Sequence, residues 1–128
     1  MVKGTLSAVP MICLIAGLTG PGHGQAEPRR VTGIFSDMQQ SENSGDVSGM
    51  EIFIVGANAG YFAVVQVAEG VPGTPVIVPV EVDGDTLTFS MPGDTPRTYR
   101  GRATSSRLEG RLEPGGRISI RRSKSYWQ

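Results

Sequence analysis

Cysteine and histidine are almost missing from this chain: Cys13 and His23 are the only examples among its 128 residues. Both fall within the first 26 residues, a stretch that reads as removable. Lys3 opens it, an apolar run of 13 residues from Leu6 to Leu18 follows, and Gly20, Pro21, Gly22 and Gly24 lead to Gln25-Ala26. A positive start, a short apolar centre and small residues at the exit are the layout of a secretory signal peptide. The run is shorter than the roughly 20 residues a membrane-spanning helix needs, and Pro10 inside it opposes a buried helix. Cys13 sits mid-run behind Met11-Ile12 rather than at its end, which disfavours a lipid-anchored form. The expectation is cleavage after Ala26, export to the periplasm or beyond, and a single mature domain of residues 27–128.

A mature chain without cysteine or histidine excludes whole classes of chemistry. It has no thiol nucleophile, no Ser-His-Asp triad and no imidazole base. Zinc, copper and iron sites built on those ligands are excluded as well. No disulfide can form, although an exported protein would be allowed one. Carboxylates, hydroxyls, tyrosines, arginines and the single lysine Lys124 remain. Asp37, Glu42 and Asp46 share a polar stretch of about ten residues, the longest connection in the pattern, and two carboxylates held at the right separation there are the residue types for acid and base work. Their spacing matches no calcium loop, and Asp83-Gly84-Asp85 lacks the later ligands of one. No metal, no cofactor and no catalysis is therefore expected, with a carboxylate-dependent hydrolase as the remote alternative.

What is present in abundance is alternation. From Val31 onward the apolar period is two rather than 3.6. In "DTLTFSMP", Leu87, Phe89 and Met91 fall on one side and Thr86, Thr88 and Ser90 on the other. Val76, Val78, Val80 and Val82 repeat the pattern, as do Leu108, Gly110 and Leu112, and Ile118 and Ile120. Turn residues punctuate the runs: Asn58-Ala59-Gly60, Asp83-Gly84-Asp85, Pro92-Gly93-Asp94 and Pro114-Gly115-Gly116. Such short connections force neighbouring strands to be antiparallel. The reading is an all-β up-and-down meander of about eight short strands, forming a small closed or partly open barrel. Pro79 interrupts the valine run and cannot donate to a ladder, so it belongs on an edge or at a bulge. A membrane barrel is disfavoured, because its strands need roughly 9 to 11 residues with a lipid-facing apolar side, whereas these carry Arg, Glu and Thr outward.

Charge divides the chain. Residues 27–94 hold two arginines and ten acids, residues 95–128 nine basic residues and two acids. A basic third can mark nucleic acid or an anionic surface. Here the arginines alternate with apolar residues, which places them on the solvated face of a sheet, and no nucleic-acid partner is expected. The chain's only tryptophan, Trp127, stands second from the end behind Arg121, Arg122 and Lys124. Tyr126 or Trp127 is expected to cap one end of the barrel, with Arg121 or Arg122 stacked on it.

Gly33-Ile34-Phe35 opens the first strand much as a Gly-x-Trp opens lipocalin-like barrels, and with the meander that follows the chain resembles that superfamily. Phe replaces the usual Trp, and later family motifs are not evident. The ending Ser125-Tyr126-Trp127-Gln128 behind a basic strand also resembles the tail of small exported bacterial proteins. Phe35, Phe53, Phe62, Phe89 and Tyr99 alternate with small residues such as Gly101 and Gly110. A small barrel either fills itself with such side chains or leaves room beside the glycines. The expected function is the binding of a small apolar or amphipathic ligand in the cell envelope through these five residues. The alternative is an interaction or inhibitor module that meets an envelope protein through Arg121, Arg122, Tyr126 and Trp127.

Overall fold

The structure, a computed structural model, describes residues 30–91 and 93–128 together with Gly4. Apart from Gly4, the expected signal peptide, with Cys13 and His23, therefore lies outside the described residues. Nine strands follow in chain order: β1 (Gly33–Ser36), β2 (Gln39–Gln40), β3 (Val47–Ala57), β4 (Gly60–Gly70), β5 (Val76–Asp83), β6 (Thr86–Met91), β7 (Arg97–Ala103), β8 (Arg107–Glu113) and β9 (Gly116–Arg121). Every ladder is antiparallel, and the order runs β1-β3-β4-β5-β6-β7-β8-β9 with β2 attached to β3. β2 is the one addition to the expected eight. It turns the long polar connection into a small hairpin, Gln39 opposite Ser48 and Gln40 opposite Val47.

Local sequence sets each register. Asn58-Ala59 is a two-residue turn that pairs Ala57 with Gly60, and Gly60 takes a φ of 124° that other residues avoid. Gly84-Asp85 joins Asp83 to Thr86 with Gly84 alone at positive φ. The positive dihedral sits on the first central residue of the turn, where glycine adopts it without strain. With registers fixed, the period-two pattern sends Ile52, Ile54, Ala63, Val65, Leu87, Phe89, Met91, Tyr99, Leu108 and Ile120 into one continuous core. Each large side chain among them contributes about 2 kcal/mol on leaving water.

Pro79 marks where β5 changes partners. Residues Val76 to Val80 pair with β4, and only Glu81 to Asp83 pair with β6. The β6 ladder thus stops before reaching Pro79, whose missing N–H costs nothing there.

The sheet curls into a nearly closed barrel whose single unsealed seam lies between β1 and β9. One bridge, Phe35 to Arg122, and one backbone bond, Ser123 N–H to the Ile34 carbonyl at 3.0 Å, join the two edges. The Arg122 side chain does the rest. Its Nη1 donates to the Thr32 carbonyl at 2.6 Å, and its Nη2 to the carbonyls of Arg30 at 2.8 Å and Thr104 at 3.0 Å. The guanidinium lies over the Phe35 ring, 4.6 Å from its centroid. Gly33 leaves the room for it, since a Cβ there would collide with Nη1. Loss of solvent, and then the nearby Arg30 charge, pull the Arg122 pKa below the usual arginine value.

Candidate functional site

The five residues expected to line an interior site separate into two groups. Phe35, Phe89 and Tyr99 are buried inside the barrel. Phe53 and Phe62 stand on its outer face, Phe53 with 41% of its surface exposed. The reason is parity: Ile52 and Ile54 point inward on β3, so Phe53 between them points out, and its partners in register follow. Beside Gly110 the interior is filled by the β7 backbone, and beside Gly101 by Tyr99 itself. Its ring stacks on Phe89 at 4.8 Å and its hydroxyl donates to the Glu109 carbonyl at 3.1 Å. A Cβ on Gly101 would strike that hydroxyl and the β8 backbone. Burial, with the Glu109 charge adding to it, pushes the Tyr99 pKa well above the ordinary tyrosine value. Tyr99 is accordingly a neutral donor at any physiological pH.

The three carboxylates of the polar loop have different surroundings. Asp37 is consumed in a corner: Oδ1 accepts the Met50 N–H at 2.7 Å, and the Asp37 N–H donates to the Met50 carbonyl at 3.1 Å. Gly49, at a φ of 109°, allows this corner to approach, because a side chain there would meet the Asp37 carbonyl at 2.6 Å. Glu42 and Asp46 are exposed in the turn, and among the described residues no three acidic groups converge.

The C-terminal tail does not cap the barrel end. After Arg122 it lies across the outer face of β3 and β4, where cross-strand pairs present Gly49 with Ala68, Glu51 with Gln66, Phe53 with Val64, and Val55 with Phe62. Glu51 holds the tail with both oxygens, accepting Ser125 Oγ at 2.6 Å and the Tyr126 N–H at 2.7 Å. Tyr126 packs on Met38, Val47 and Ala68, a second small core outside the barrel. The Trp127 indole donates to Gln66 Oε1 at 2.9 Å, while Gln66 Nε2 donates to the Gly73 carbonyl at 2.8 Å. The indole is thus tethered by its nitrogen, yet 61% of Trp127 remains exposed. It forms one wall of a groove of about 330 Å³, whose other sides are Phe53, Val64 and Pro75 above Glu51 and Gln66.

Beyond the groove the outer face stays apolar. One row runs Ile34, Phe53, Val64, Ile77 across β1, β3, β4 and β5, and the next runs Val55, Phe62, Pro79. Ile77 is 72% exposed. Of the four residues expected to form an interaction tail, Tyr126 and Trp127 belong to this surface. Arg122 does not, because its guanidinium is spent on the seam, and neither it nor Arg121 stacks on the tail; Arg121 faces out from β9 opposite Arg107. Glu51 and Gln66 were missed as site residues. Their pairing follows from the Asn58-Ala59 turn alone, since counting back from Ala57 and forward from Gly60 sets them opposite each other.

Comparison with protein-family models, with curated proteins and with solved structures gives no match.

Proposed function

We propose that the protein is an exported, non-catalytic docking module that captures a partner protein on the outer face of β3–β5, with the groove beside Trp127 as its centre. The supporting observation is the apolar row Ile34-Phe53-Val64-Ile77, left uncovered next to a tail that already covers the adjoining half of the same face. Contiguous exposed apolar surface of this kind is characteristic of recognition sites. The tail shows what the face accepts: a segment whose backbone N–H meets Glu51 and whose aromatic ring meets the sheet. The strands around it belong to the acidic part of the chain, residues 27–94 with ten acids and two arginines. The partner segment therefore carries aromatic or aliphatic side chains and is flanked by basic residues.

A peptide of alternating arginine and phenylalanine tests this, with an acidic counterpart as control. Binding should shift the emission of Trp127, and Phe53→Glu with Ile77→Glu should abolish the shift without lowering the melting temperature. Equal binding of the acidic peptide would overturn the reading. So would a stoichiometric small-molecule adduct in native mass spectrometry, which would return the function to a ligand held by the barrel.

A further inference from the structure

The outer face of β7, β8 and β9 is built differently. Arg100 of β7 stands directly opposite Arg111 of β8, and Arg111 directly opposite Arg117 of β9. Three guanidinium groups thus occupy one row on three neighbouring strands, which lie about 4.8 Å apart. Thr88 of β6 continues the row. Arg107 opposite Arg121 repeats the like-charge pairing farther along β8. Between the two stands an arginine with a close acidic partner: Arg102 donates to Glu109 Oε1 through Nε at 2.9 Å and Nη2 at 2.8 Å, while Arg107 donates to Ser119 Oγ at 3.0 Å. Arg111 reaches Glu113 at 3.5 Å, with both side chains mostly in solvent. Arg100 and Arg117 form no ion pair among the described residues.

Like charges set directly opposite each other on adjacent strands weaken a sheet. A face needing only to be wet would interleave the signs, as Arg102 and Glu109 do. Two shallow depressions of about 500 Å³ each meet at Glu109, one bordered by Arg111 and Arg117, the other by Arg100 and Arg102. Every cation in the row is arginine, whose planar fork grips a carboxylate with two bonds where lysine offers a point charge. Thr88, Thr98 and Ser119 add neutral hydroxyls to the same face. Among its described residues no aromatic side chain stands outward on β6–β9, so bases have nothing to stack on and a bilayer nothing to take up.

We infer that Arg100, Arg111 and Arg117 form a docking row for a linear acidic polysaccharide, which crosses β7, β8 and β9 with its carboxylates on the guanidinium groups and its hydroxyls on the flanking threonines and serine. This surface is separate from the apolar groove, and either stands without the other.

The experiment measures binding of the purified full chain to immobilised polygalacturonate, with neutral dextran as control. Binding to polygalacturonate alone, weakening as salt rises, is expected. The Arg100→Gln, Arg111→Gln, Arg117→Gln variant should lose roughly tenfold in affinity per arginine removed. Arg97→Gln, Arg121→Gln, Lys124→Gln removes the same charge off the row and should keep most of the affinity. An equal loss in both variants would overturn the row in favour of bulk charge. Tighter, row-dependent binding to phosphatidylglycerol vesicles or to a single-stranded oligonucleotide would overturn the polysaccharide as the partner. The row variant should also melt higher than the parent without ligand, because its repulsion is gone. A lower melting temperature would show that the arginines serve the fold and would overturn the inference.

Discussion

Arg122 covers the ring of Phe35 at 4.6 Å, and the two also form the one bridge between the first and last edges of the barrel. The same guanidinium donates to three backbone carbonyls that would otherwise face an open seam.

Arg122→Ala should therefore cost about 3 kcal/mol in urea unfolding, since hydrogen bonds from a charged donor are worth about 1.5 to 3 kcal/mol and the stacked ring adds to them. Arg122→Lys should recover less than half, because an ammonium cannot reach three carbonyls in one plane. Gly33→Ala should cost a comparable amount from the other side, as its Cβ takes the place of Nη1. A neutral Arg122→Ala would remove the seam from the stability of the fold.

Tyr99 predicts a pH dependence. Its pKa is raised in the folded state, so the fold favours the neutral phenol. That contribution is whole below the ordinary tyrosine value of about 10 and is lost as pH climbs from there towards the raised folded value. Absorbance titration should show Tyr99 ionising only with unfolding. Tyr99→Phe should cost about 1 kcal/mol at neutral pH by leaving the Glu109 carbonyl without its donor, and should flatten the alkaline loss.

The two aromatic residues of the tail should behave oppositely. Tyr126→Ala uncovers Met38, Val47 and Ala68 and should cost about 2 kcal/mol. Trp127→Phe removes a mostly exposed indole and one exposed hydrogen bond, and should cost well under 1 kcal/mol. Differential scanning calorimetry on the pair decides it: equal losses would mean that the indole is a structural weight rather than a presented surface.

The strands were legible because alternation and turn chemistry are local. Thr86 to Met91 shows its buried and exposed sides without any neighbour, and Asn58-Ala59 sets the register of two long strands. Pro79 was expected at an edge or a bulge; it lies within the interior strand β5, opposite Phe62, where the β6 ladder no longer reaches. The site was harder, because it depends on which face of the sheet is inside. Phe53 and Ile52 are equally apolar, and only the barrel decides that one is core and the other surface. Arg122 and the tail were misplaced for a similar reason. Their partners, Thr32 and Glu51, lie 90 and 74 residues away, and no local pattern reports such distances.

Those separations bear on the order in which the molecule assembles. Each long ladder joins strands adjacent in sequence, so the curled sheet can zip up hairpin by hairpin at small entropic cost. The seam around Arg122 and Ser123 and the tail's contacts with β3 and β4 bring the C-terminal end back to the first strands. The last eight residues thus act as the final stitch, and a chain clipped before Arg121 would keep its hairpins while leaving two sheet edges open to pair with a neighbour.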